Sequence, residues 1–407
     1  MNKTIQITRE TLSDPVTDAR RPERMQRGVR LALLAPEMLS PGGVQSFMWR
    51  IWDCMAGLAA DPSCLSLSVL NDGAKALRAS GRVADSASVV GGRRSKARFV
   101  TSVLRQHAAD AMIVGHIGQS PVAWILKKLG RVRAYAVVLH GNEAWKRLSF
   151  FQRLACRDAF CVIATTQFTA RRFVECNAVP RALLRIAPLC ADESSTPASN
   201  FVLTGDFRIL IVGRQWKSER YKGFSQLIAA VALMHASGRH ATLHVVGEGD
   251  DQPSLRKLAE ERGVISHVLF HGAIADADLA AAYQTCHVYA MPSGQEGFGI
   301  AFLEAMRYAR PCVGAMAGGI PEVIDDEVTG LLVPYGDAGK LAEALCRLYD
   351  DPEFRDRLGA AGLEKVRTTL SYQAFCSTYR ALLWEMVSGL DADTREAEAE
   401  KRTTCTI

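Results

Sequence analysis

Short runs of valine, isoleucine and leucine alternate with amphipathic stretches along almost the whole chain. The first three of these segments are "VRLALLAPE", "VQSFMWRIWDCMAGLAA" and "LSLSVLND". A strand that is buried on both faces has a continuous apolar run, and a crossover helix normally separates it from the next parallel strand. The alternation therefore predicts an α/β fold whose parallel sheets carry helices on both faces.

This alternation stops once, in a segment rich in Ser, Thr, Pro and Asp, and then restarts at "FRILIVGR". A chain of 407 residues also exceeds the usual size of one domain, which is about 100–200 residues. We therefore predict two doubly wound, Rossmann-like domains that face each other across a cleft. The predicted divisions are a disordered leader (1–27), a first domain (28–191), a linker (192–206), a second domain (207–370), a C-terminal helix that packs back on the body (371–390) and a charged tail (391–407).

Composition and cysteine usage indicate a cytoplasmic protein. Apolar residues make up 48% of the chain and charged residues 23%, as in ordinary globular proteins. The polar start lacks the apolar core of a signal peptide, and no apolar run is long enough to cross a bilayer. The eleven cysteines are scattered and never spaced as C-x-x-C, which predicts buried thiols rather than bridges or metal ligands.

The charge of the chain is divided unevenly between its two halves. Up to Asp192 there are 28 Lys and Arg against 14 Asp and Glu, and after it 21 against 29. Such an asymmetry indicates that the first half faces an anionic partner such as phosphates, a membrane surface or an acidic polymer, although simple solubility is an alternative. Basic residues concentrate in 91–98, 126–133 and 145–157, and the last of these segments also contains Trp145, Phe150 and Phe151. This mixture favours peripheral binding to an anionic membrane, and a solvated basic face remains the alternative.

The segment "PSGQEGFGIAFLEAM" (292–306) predicts an anion site in the second domain. It follows a strand-like run and leads into a helical one, so Gly297 and Gly299 lie at a strand-to-helix junction. Glycines at such a junction allow close backbone approach, and the unpaired amides of the helix start attract phosphate.

Two carboxylates in this segment, Glu296 and Glu304, suit hydroxyl groups rather than phosphate. A carboxylate repels a nearby phosphate, whereas it accepts hydrogen bonds from neighbouring sugar or ribose hydroxyls. Positive charge comes from Arg214 after a strand and from Lys222 before a helix in "VGRQWKSERYKGFSQL". Together these groups predict a site for a nucleoside diphosphate-sugar, with Arg214 and Lys222 on the diphosphate. Surface charges in a loop are the alternative for either cation taken alone.

The first half contributes two further candidates. Gly42 and Gly43 separate the first strand from a helix, which again suits close phosphate approach, although a tight turn without a ligand explains them equally well. His140 ends a strand in "VVLHGNEAW". A lone histidine is more often a hydrogen-bonded structural residue than a catalyst.

The second half resembles the retaining glycosyltransferase family 4, glycosyl transferases group 1, which has a GT-B fold. The segments that carry the resemblance occur in the family's order: "VGR" and "KGF", "VVGEG", "FHG", "MPSGQEGFGIAFLEAM", "GGIPEVI" and "TGLLVPYGD". The ordered series is specific, whereas two glutamates eight residues apart would occur on many helices by chance.

The resemblance implies a role for each matching residue. Glu296 would contact hydroxyls of the transferred sugar, Glu304 would contact the ribose, and Arg214 and Lys222 would stabilise the departing diphosphate. Backbone amides for sugar and phosphate would come from Gly297, Phe298, Gly299 and Ile300. His271 and Gly272 would line the base, Gly42 and Gly43 would approach the donor, and His140 would reach the sugar or the reaction centre.

The resemblance further implies a retaining, metal-independent hexosyltransferase without a cofactor. Its donor would be a UDP- or GDP-linked sugar, and the first domain would hold a saccharide or lipid-linked acceptor in envelope or exopolysaccharide synthesis. A nucleic-acid partner is not expected. Two alternatives stay open at this point: a non-catalytic sugar-nucleotide-binding subunit and a dinucleotide-dependent oxidoreductase. Against the second, G-x-G-x-x-G follows the first strand of neither half.

Overall fold

Each half of the chain folds around its own parallel sheet in the computed structural model. The structure describes residue 25 and residues 28–40, 42–106, 108–191 and 201–404, with side chains up to residue 389. Most of the predicted leader, and residues 192–200 of the predicted linker, lie outside these ranges. Met25 falls within the predicted leader, yet it is buried and donates its N–H to Leu58 O at 2.9 Å.

The first sheet contains seven parallel strands in the order β3-β2-β1-β4-β5-β6-β7. Their bounds are β1 (Leu31–Ala35), β2 (Leu65–Val69), β3 (Ser88–Gly91), β4 (Ala109–Val114), β5 (Val132–Leu139), β6 (Cys161–Ala164) and β7 (Leu184–Ile186). The helices are α1 (Gly43–Leu58), α2 (Ala74–Ala79), α3 (Lys96–Arg105), α4 (Ser120–Lys128), α5 (Phe150–Asp158) and α6 (Gln167–Asn177). The strand order reverses between β1 and β4, which opens a crevice at their carboxyl ends.

The second sheet contains six parallel strands in the order β10-β9-β8-β11-β12-β13. Their bounds are β8 (Arg208–Val212), β9 (Thr242–Val246), β10 (Val268–Gly272), β11 (Val288–Met291), β12 (Cys312–Ala315) and β13 (Gly330–Val333). The helices are α7 (Phe224–Ala236), α8 (Gln252–Glu261), α9 (Asp276–Thr285), α10 (Ile300–Arg307), α11 (Ile320–Val323), α12 (Ala338–Asp350) and α13 (Pro352–Arg367). Here the order reverses between β8 and β11.

Burial of the strands confirms the predicted doubly wound fold. Every residue of β1, β6, β11 and β12 is buried, as the apolar runs predict for strands with helices on both faces. The two crevices at the order reversals are the places where ligands of such sheets bind. We therefore expect a ligand site where the carboxyl edges of the two sheets meet.

A long last helix, α14 (Tyr372–Thr404), returns from the second domain to the first. Its Phe375 ring lies 5.7 Å from that of Phe47 on α1, and Tyr379 contacts the same ring edge-on. The helix continues to Thr404, beyond residue 390, where the sequence predicts a charged tail. Because α14 belongs in sequence to one domain and packs on the other, it ties the two together.

The described part of the chain contains ten cysteines, all of them free thiols and six of them buried. Within the same part, no helix has the length and apolar character needed to span a bilayer. The described residues also include no cluster of three or more His, Cys, Asp or Glu side chains arranged to hold a metal ion.

Candidate active site between the two domains

The predicted cations and the glycine-rich segment meet at the order reversal of the second sheet. Arg214 follows β8, and the loop 292–299 joins β11 to α10. Because β8 and β11 are neighbouring parallel strands, both connections leave the same edge of the sheet. Residues that are about eighty positions apart in sequence therefore share one site.

Lys222 is held against this loop by the glycine that follows it. Gly223 has a left-handed φ of 86° and begins α7, and a Cβ at this position would lie 2.6 Å from Pro292 O. A side chain would therefore collide with the loop, and only glycine allows so close an approach. The Lys222 side chain is 15% exposed, which places its charge in a partly desolvated environment.

A carboxylate that the sequence analysis missed, Glu219, pairs with both cations. Its Oε1 lies 2.5 Å from Arg214 Nη2, and its Oε2 lies 3.4 Å from Lys222 Nζ. Glu219 is 14% exposed, whereas Arg214 is 68% exposed. In this structure a carboxylate on the short 3₁₀ segment Lys217–Lys222 thus offsets one of the two positive charges predicted to bind a diphosphate.

Glu296 lies within the electrostatic reach of this cluster. Burial raises the pKa of the Glu296 carboxyl, and the negative charge of Glu219 raises it further. The positive charges of Lys222 and Arg214 and a hydrogen bond from Ser293 lower it. A buried carboxylate whose ionised form is stabilised by neighbouring cations can accept hydrogen bonds from hydroxyl groups in a site with little water. Lys222 therefore lies close enough to Glu296 for its charge to stabilise the ionised carboxylate.

Gly297 brings this loop against the first domain at His140. A Cβ on Gly297 would lie 2.0 Å from His140 O, and one on Gly141 would lie 3.2 Å from Gly297 Cα. The two backbones thus touch without room for a side chain. Two positions further on, Gly299 adopts a left-handed φ of 93° as the N-cap of α10, and no side chain caps the first amides of that helix.

The starts of two helices face each other across the cleft. Gly43 begins α1 directly after Gly42, and a Cβ on Gly43 would lie 3.2 Å from Ile300 Cδ1 at the start of α10. Phe298 is buried in the core, so it presents its backbone rather than its ring. The predicted glycine pair and the predicted amide loop are thereby brought together.

His140 is fixed by hydrogen bonds on both its backbone and its ring. Its Nε2 lies 2.6 Å from Gly115 O, and its N–H donates to Glu143 Oε1 at 2.6 Å. Burial lowers the pKa of the imidazole, and Glu143 and the Gly115 carbonyl oppose that shift. Because a carbonyl only accepts, Nε2 carries the proton and Nδ1 is left as the acceptor of the neutral ring. His116 stacks on this ring at 6.1 Å.

Glu304 is oriented by a buried tyrosine on the neighbouring helix. Tyr283 on α9 donates its hydroxyl to Glu304 Oε2 at 2.8 Å. Burial raises the pKa of this phenol well above its usual value, so it remains a donor at all ordinary pH values. A carboxylate fixed in this way is preorganised to accept a pair of ligand hydroxyls.

The two residues predicted to line a base lie at the edge strand β10. Gly272 has a left-handed φ of 68°, and a Cβ there would lie 3.6 Å from Glu248 Oε1. The His271 ring stacks on His244 with Nε2 2.9 Å from His244 Nδ1, and Phe201 meets its edge. His271 is thus engaged within its own domain, whereas the backbone after it runs toward Glu248.

Replacing Glu219 with glutamine should tighten the binding of a free nucleoside diphosphate roughly tenfold. The substitution removes the negative charge that pairs with both predicted cations, and two like charges about 4 Å apart repel by about 4 kcal/mol at an effective dielectric constant near 20, which is an upper limit for this effect. Calorimetric titration with UDP and GDP measures the change, and Glu261→Gln, in an exposed Lys257–Glu261 pair, is the matched control. Weaker binding would show that Glu219 organises the cations instead of competing for them.

Two doubly wound domains that meet at their carboxyl edges define the GT-B class of fold. A solved structure with this arrangement, the Anabaena Alr3699/HepE protein in complex with UDP-glucose, superposes with a TM-score of 0.69 at 20% sequence identity. The superposition covers 87% of this chain and 99% of that one. The GT-B prediction is therefore confirmed.

Residues 194–365 match the family model "Glycosyl transferases group 1". This match lies within the second half of the chain and confirms the resemblance that the sequence motifs predict.

Two curated relatives match over part of their length. A phosphatidyl-myo-inositol mannosyltransferase of Mycobacterium leprae is 38% identical over 39% of this chain and 41% of its own length. A GDP-mannose-dependent alpha-(1-6)-phosphatidylinositol monomannoside mannosyltransferase of Mycobacterium tuberculosis is 34% identical over 42% of this chain and 45% of its own length. The chain thus matches less than half the length of either relative.

Proposed function

We propose that this protein is a retaining glycosyltransferase that moves a hexose from a nucleoside diphosphate-sugar to a hydroxyl of a saccharide or lipid-linked acceptor. One observation carries the proposal: Arg214, Lys222 and Glu296 converge at the order reversal of the second sheet, next to His140 of the first domain. The cations suit a diphosphate, and the carboxylate suits the hydroxyls of the sugar attached to it.

The division of roles follows from the positions of the charges. Arg214 and Lys222 stabilise the negative charge that develops on the diphosphate as the bond from sugar C1 to phosphate oxygen breaks. Glu296 accepts hydrogen bonds from the sugar, Glu304 holds the ribose, and the amides at Gly297–Ile300 approach the sugar and phosphates. In this proposal a donor displaces Glu219 from Arg214.

Retention of the anomeric configuration requires the acceptor to attack on the face that the diphosphate leaves. The acceptor oxygen forms the new bond to C1 as an oxocarbenium-like centre develops, and its proton passes to an oxygen of the departing phosphate. Neutral His140, with Nδ1 as acceptor, orients a sugar hydroxyl and takes no part in bond breaking. In this proposal neither a metal nor a cofactor takes part in the transfer.

Donor identity is proposed as UDP- or GDP-linked. The M. tuberculosis relative is named as GDP-mannose-dependent, and the Anabaena structure contains UDP-glucose. A thermal-shift screen of UDP-, GDP- and ADP-hexoses tests the proposal, because a ligand that binds only the folded state raises the melting temperature. Stabilisation by a sugar nucleotide, followed by its cleavage, supports the enzyme. Stabilisation without cleavage, with or without acceptors, favours a non-catalytic sugar-nucleotide-binding subunit, and stabilisation by nicotinamide dinucleotides alone would favour an oxidoreductase.

An exposed apolar patch on the first domain supports a lipid-linked acceptor at a membrane. Phe150 and Phe151 begin α5 and are 66% and 58% exposed, and Leu129, which follows the adjacent α4, is 60% exposed. The segments that contain these residues, 126–133 and 145–157, are also rich in Lys and Arg. Both curated relatives are named for phosphatidylinositol acceptors. We therefore place the protein in the cytoplasm, bound peripherally to the inner face of the membrane, in envelope or exopolysaccharide synthesis.

Replacing Phe150 and Phe151 together with serine should lower partitioning onto anionic vesicles at least tenfold. Each ring that enters the interface contributes roughly 1.5–3 kcal/mol of apolar transfer at full burial. Sedimentation with phosphatidylserine-containing vesicles measures the effect, and Leu233→Ser, at a residue of the second domain that is 45% exposed, is the control. Equal partitioning of the double variant and the wild type, or wild-type binding that does not weaken with salt, would contradict membrane docking at this patch.

A further inference from the structure

A carboxylate of the second domain lies on the start of a helix of the first. Glu322 on α11 accepts from Gln167 N at 2.7 Å through Oε2 and from Phe168 N at 2.7 Å through Oε1. These two amides open α6, an eleven-residue helix whose own first turn contains no acidic residue. A carboxylate at a helix N-terminus is stabilised by the unpaired amides and by the helix dipole. The first domain thus takes its helix-terminal carboxylate from the second.

A second polar contact lies beside this one and reaches the donor loop directly. Thr166, the N-cap of α6, donates its hydroxyl to Gly297 O at 2.9 Å and also accepts from Thr169 N. A Cβ on Gly319 would lie 2.8 Å from Thr166 Cγ2 and 2.3 Å from Gly297 O. The start of α6 is therefore packed against both the donor loop and the turn that precedes Glu322.

The turn before Glu322 is bonded to the backbone of Glu296. Gly319 N donates to Glu296 O at 2.8 Å, and Glu322 N donates to Gly319 O at 3.1 Å. Gly318 has a left-handed φ of 61°, and a Cβ there would lie 2.5 Å from Glu296 O. A chain of short backbone contacts therefore runs from the Glu322 carboxylate to the residue that we propose to hold the sugar.

We propose that Glu322 is a positioning residue that fastens the two domains together at the donor loop and so sets the place of Glu296 against the first domain. Gly297 and His140 touch without space for a side chain, so the approach of the two domains at this point fixes where the donor loop lies against the first domain. Glu322 contacts neither substrate in this account. It acts through the start of α6 and through the Gly319–Glu296 bond.

The kinetic part of this inference rests on the proposed sugar transfer, whereas its structural part does not. Glu322→Gln keeps the side-chain size but turns an amide donor toward one of the two N–H groups, and Glu322→Lys reverses the charge at the helix start. For a partly exposed contact of this kind, we expect turnover to fall roughly fivefold in Glu322→Gln and further in Glu322→Lys. Binding of free UDP or GDP should stay within twofold of wild type, because the side chains proposed to hold the nucleotide, Arg214, Lys222 and Glu304, all lie in the second domain.

Small-angle scattering of the full chain with and without UDP or GDP supplies a measurement that does not depend on activity. We expect Glu322→Lys to have a larger radius of gyration than wild type, with an unchanged melting temperature of the second domain. Glu353→Gln, at an acidic residue in the first turn of α13, is the matched control and should behave as wild type. Unchanged turnover and unchanged radius in Glu322→Lys would overturn the inference, as would loss of nucleotide binding in Glu322→Gln. If the radius changes while even the wild type transfers no sugar, the proposed function fails and the fastening role stands.

Discussion

Lys222→Ala should lower turnover at saturating donor roughly a hundredfold or more. Removing one preorganised group that stabilises charge in the transition state typically costs about 2.7–4 kcal/mol, and Lys222 is the better shielded of the two predicted cations. Its role also extends to Glu296, because Lys222 opposes the rise of that carboxyl's pKa. Without Lys222 the pKa of Glu296 should therefore rise further.

The matched control for this variant is Lys217→Ala, at an exposed lysine of the same 3₁₀ segment. It removes the same charge and the same number of atoms, and should leave turnover within about twofold, as surface substitutions usually do. Near wild-type turnover of Lys222→Ala in a donor-saturated assay would remove Lys222 from the reaction. Equal losses of turnover in both variants would show that turnover depends on the net charge of the segment and not on the position of the Lys222 ammonium group.

Glu304→Ala and Glu296→Ala should separate nucleotide binding from sugar transfer. Glu304 accepts a hydrogen bond from Tyr283 and is assigned to the ribose. Its loss should therefore weaken the binding of free UDP or GDP and the binding of the sugar nucleotide to the same extent. Loss of hydrogen bonds to a charged group costs about 1.5–3 kcal/mol, which is roughly ten- to hundredfold in affinity. Glu296 is assigned to the sugar, so its loss should leave free nucleotide binding within about twofold and lower turnover by a hundredfold or more.

The comparison requires calorimetry with the free nucleotide and a turnover assay on the same two variants. Glu364→Gln, a glutamate on α13 outside the site, controls for a change of net charge in the second domain. Equal weakening of free nucleotide binding by both alanine variants would contradict the proposed division between ribose and sugar.

The alternation of apolar runs was enough to predict the two sheets, because burial on both faces leaves an unbroken apolar pattern in each strand. The same topology explains why Arg214, Lys222 and Glu296 could be predicted to meet. Neighbouring parallel strands end at the same edge, so loops distant in sequence share one site. The length of α14 was not predicted, since its charged end, without an apolar stripe, resembles a tail that no partner element would order.

What the sequence did not reveal is the polar contacts between distant elements. Glu219 stands in an irregular 3₁₀ turn with a φ of −117°, and no helical periodicity relates it to Arg214. One available signal was its position three residues before Lys222, the spacing of a short-range ion pair. Glu322 bonds a helix of the other domain, and the stacking of His271 on His244 depends on the pairing of two strands. Such contacts follow only from the assembled fold.

The most direct test of the central claim is to follow the anomeric proton of UDP- and GDP-hexoses by nuclear magnetic resonance during incubation with the protein, with and without lipid and saccharide acceptors. The account predicts cleavage of at least one such donor, release of the nucleoside diphosphate, a product with the donor's anomeric configuration, and loss of the reaction in Lys222→Ala. An inverted product would contradict the retaining mechanism. Failure of the folded wild-type protein to bind or cleave any of these donors would contradict the account as a whole.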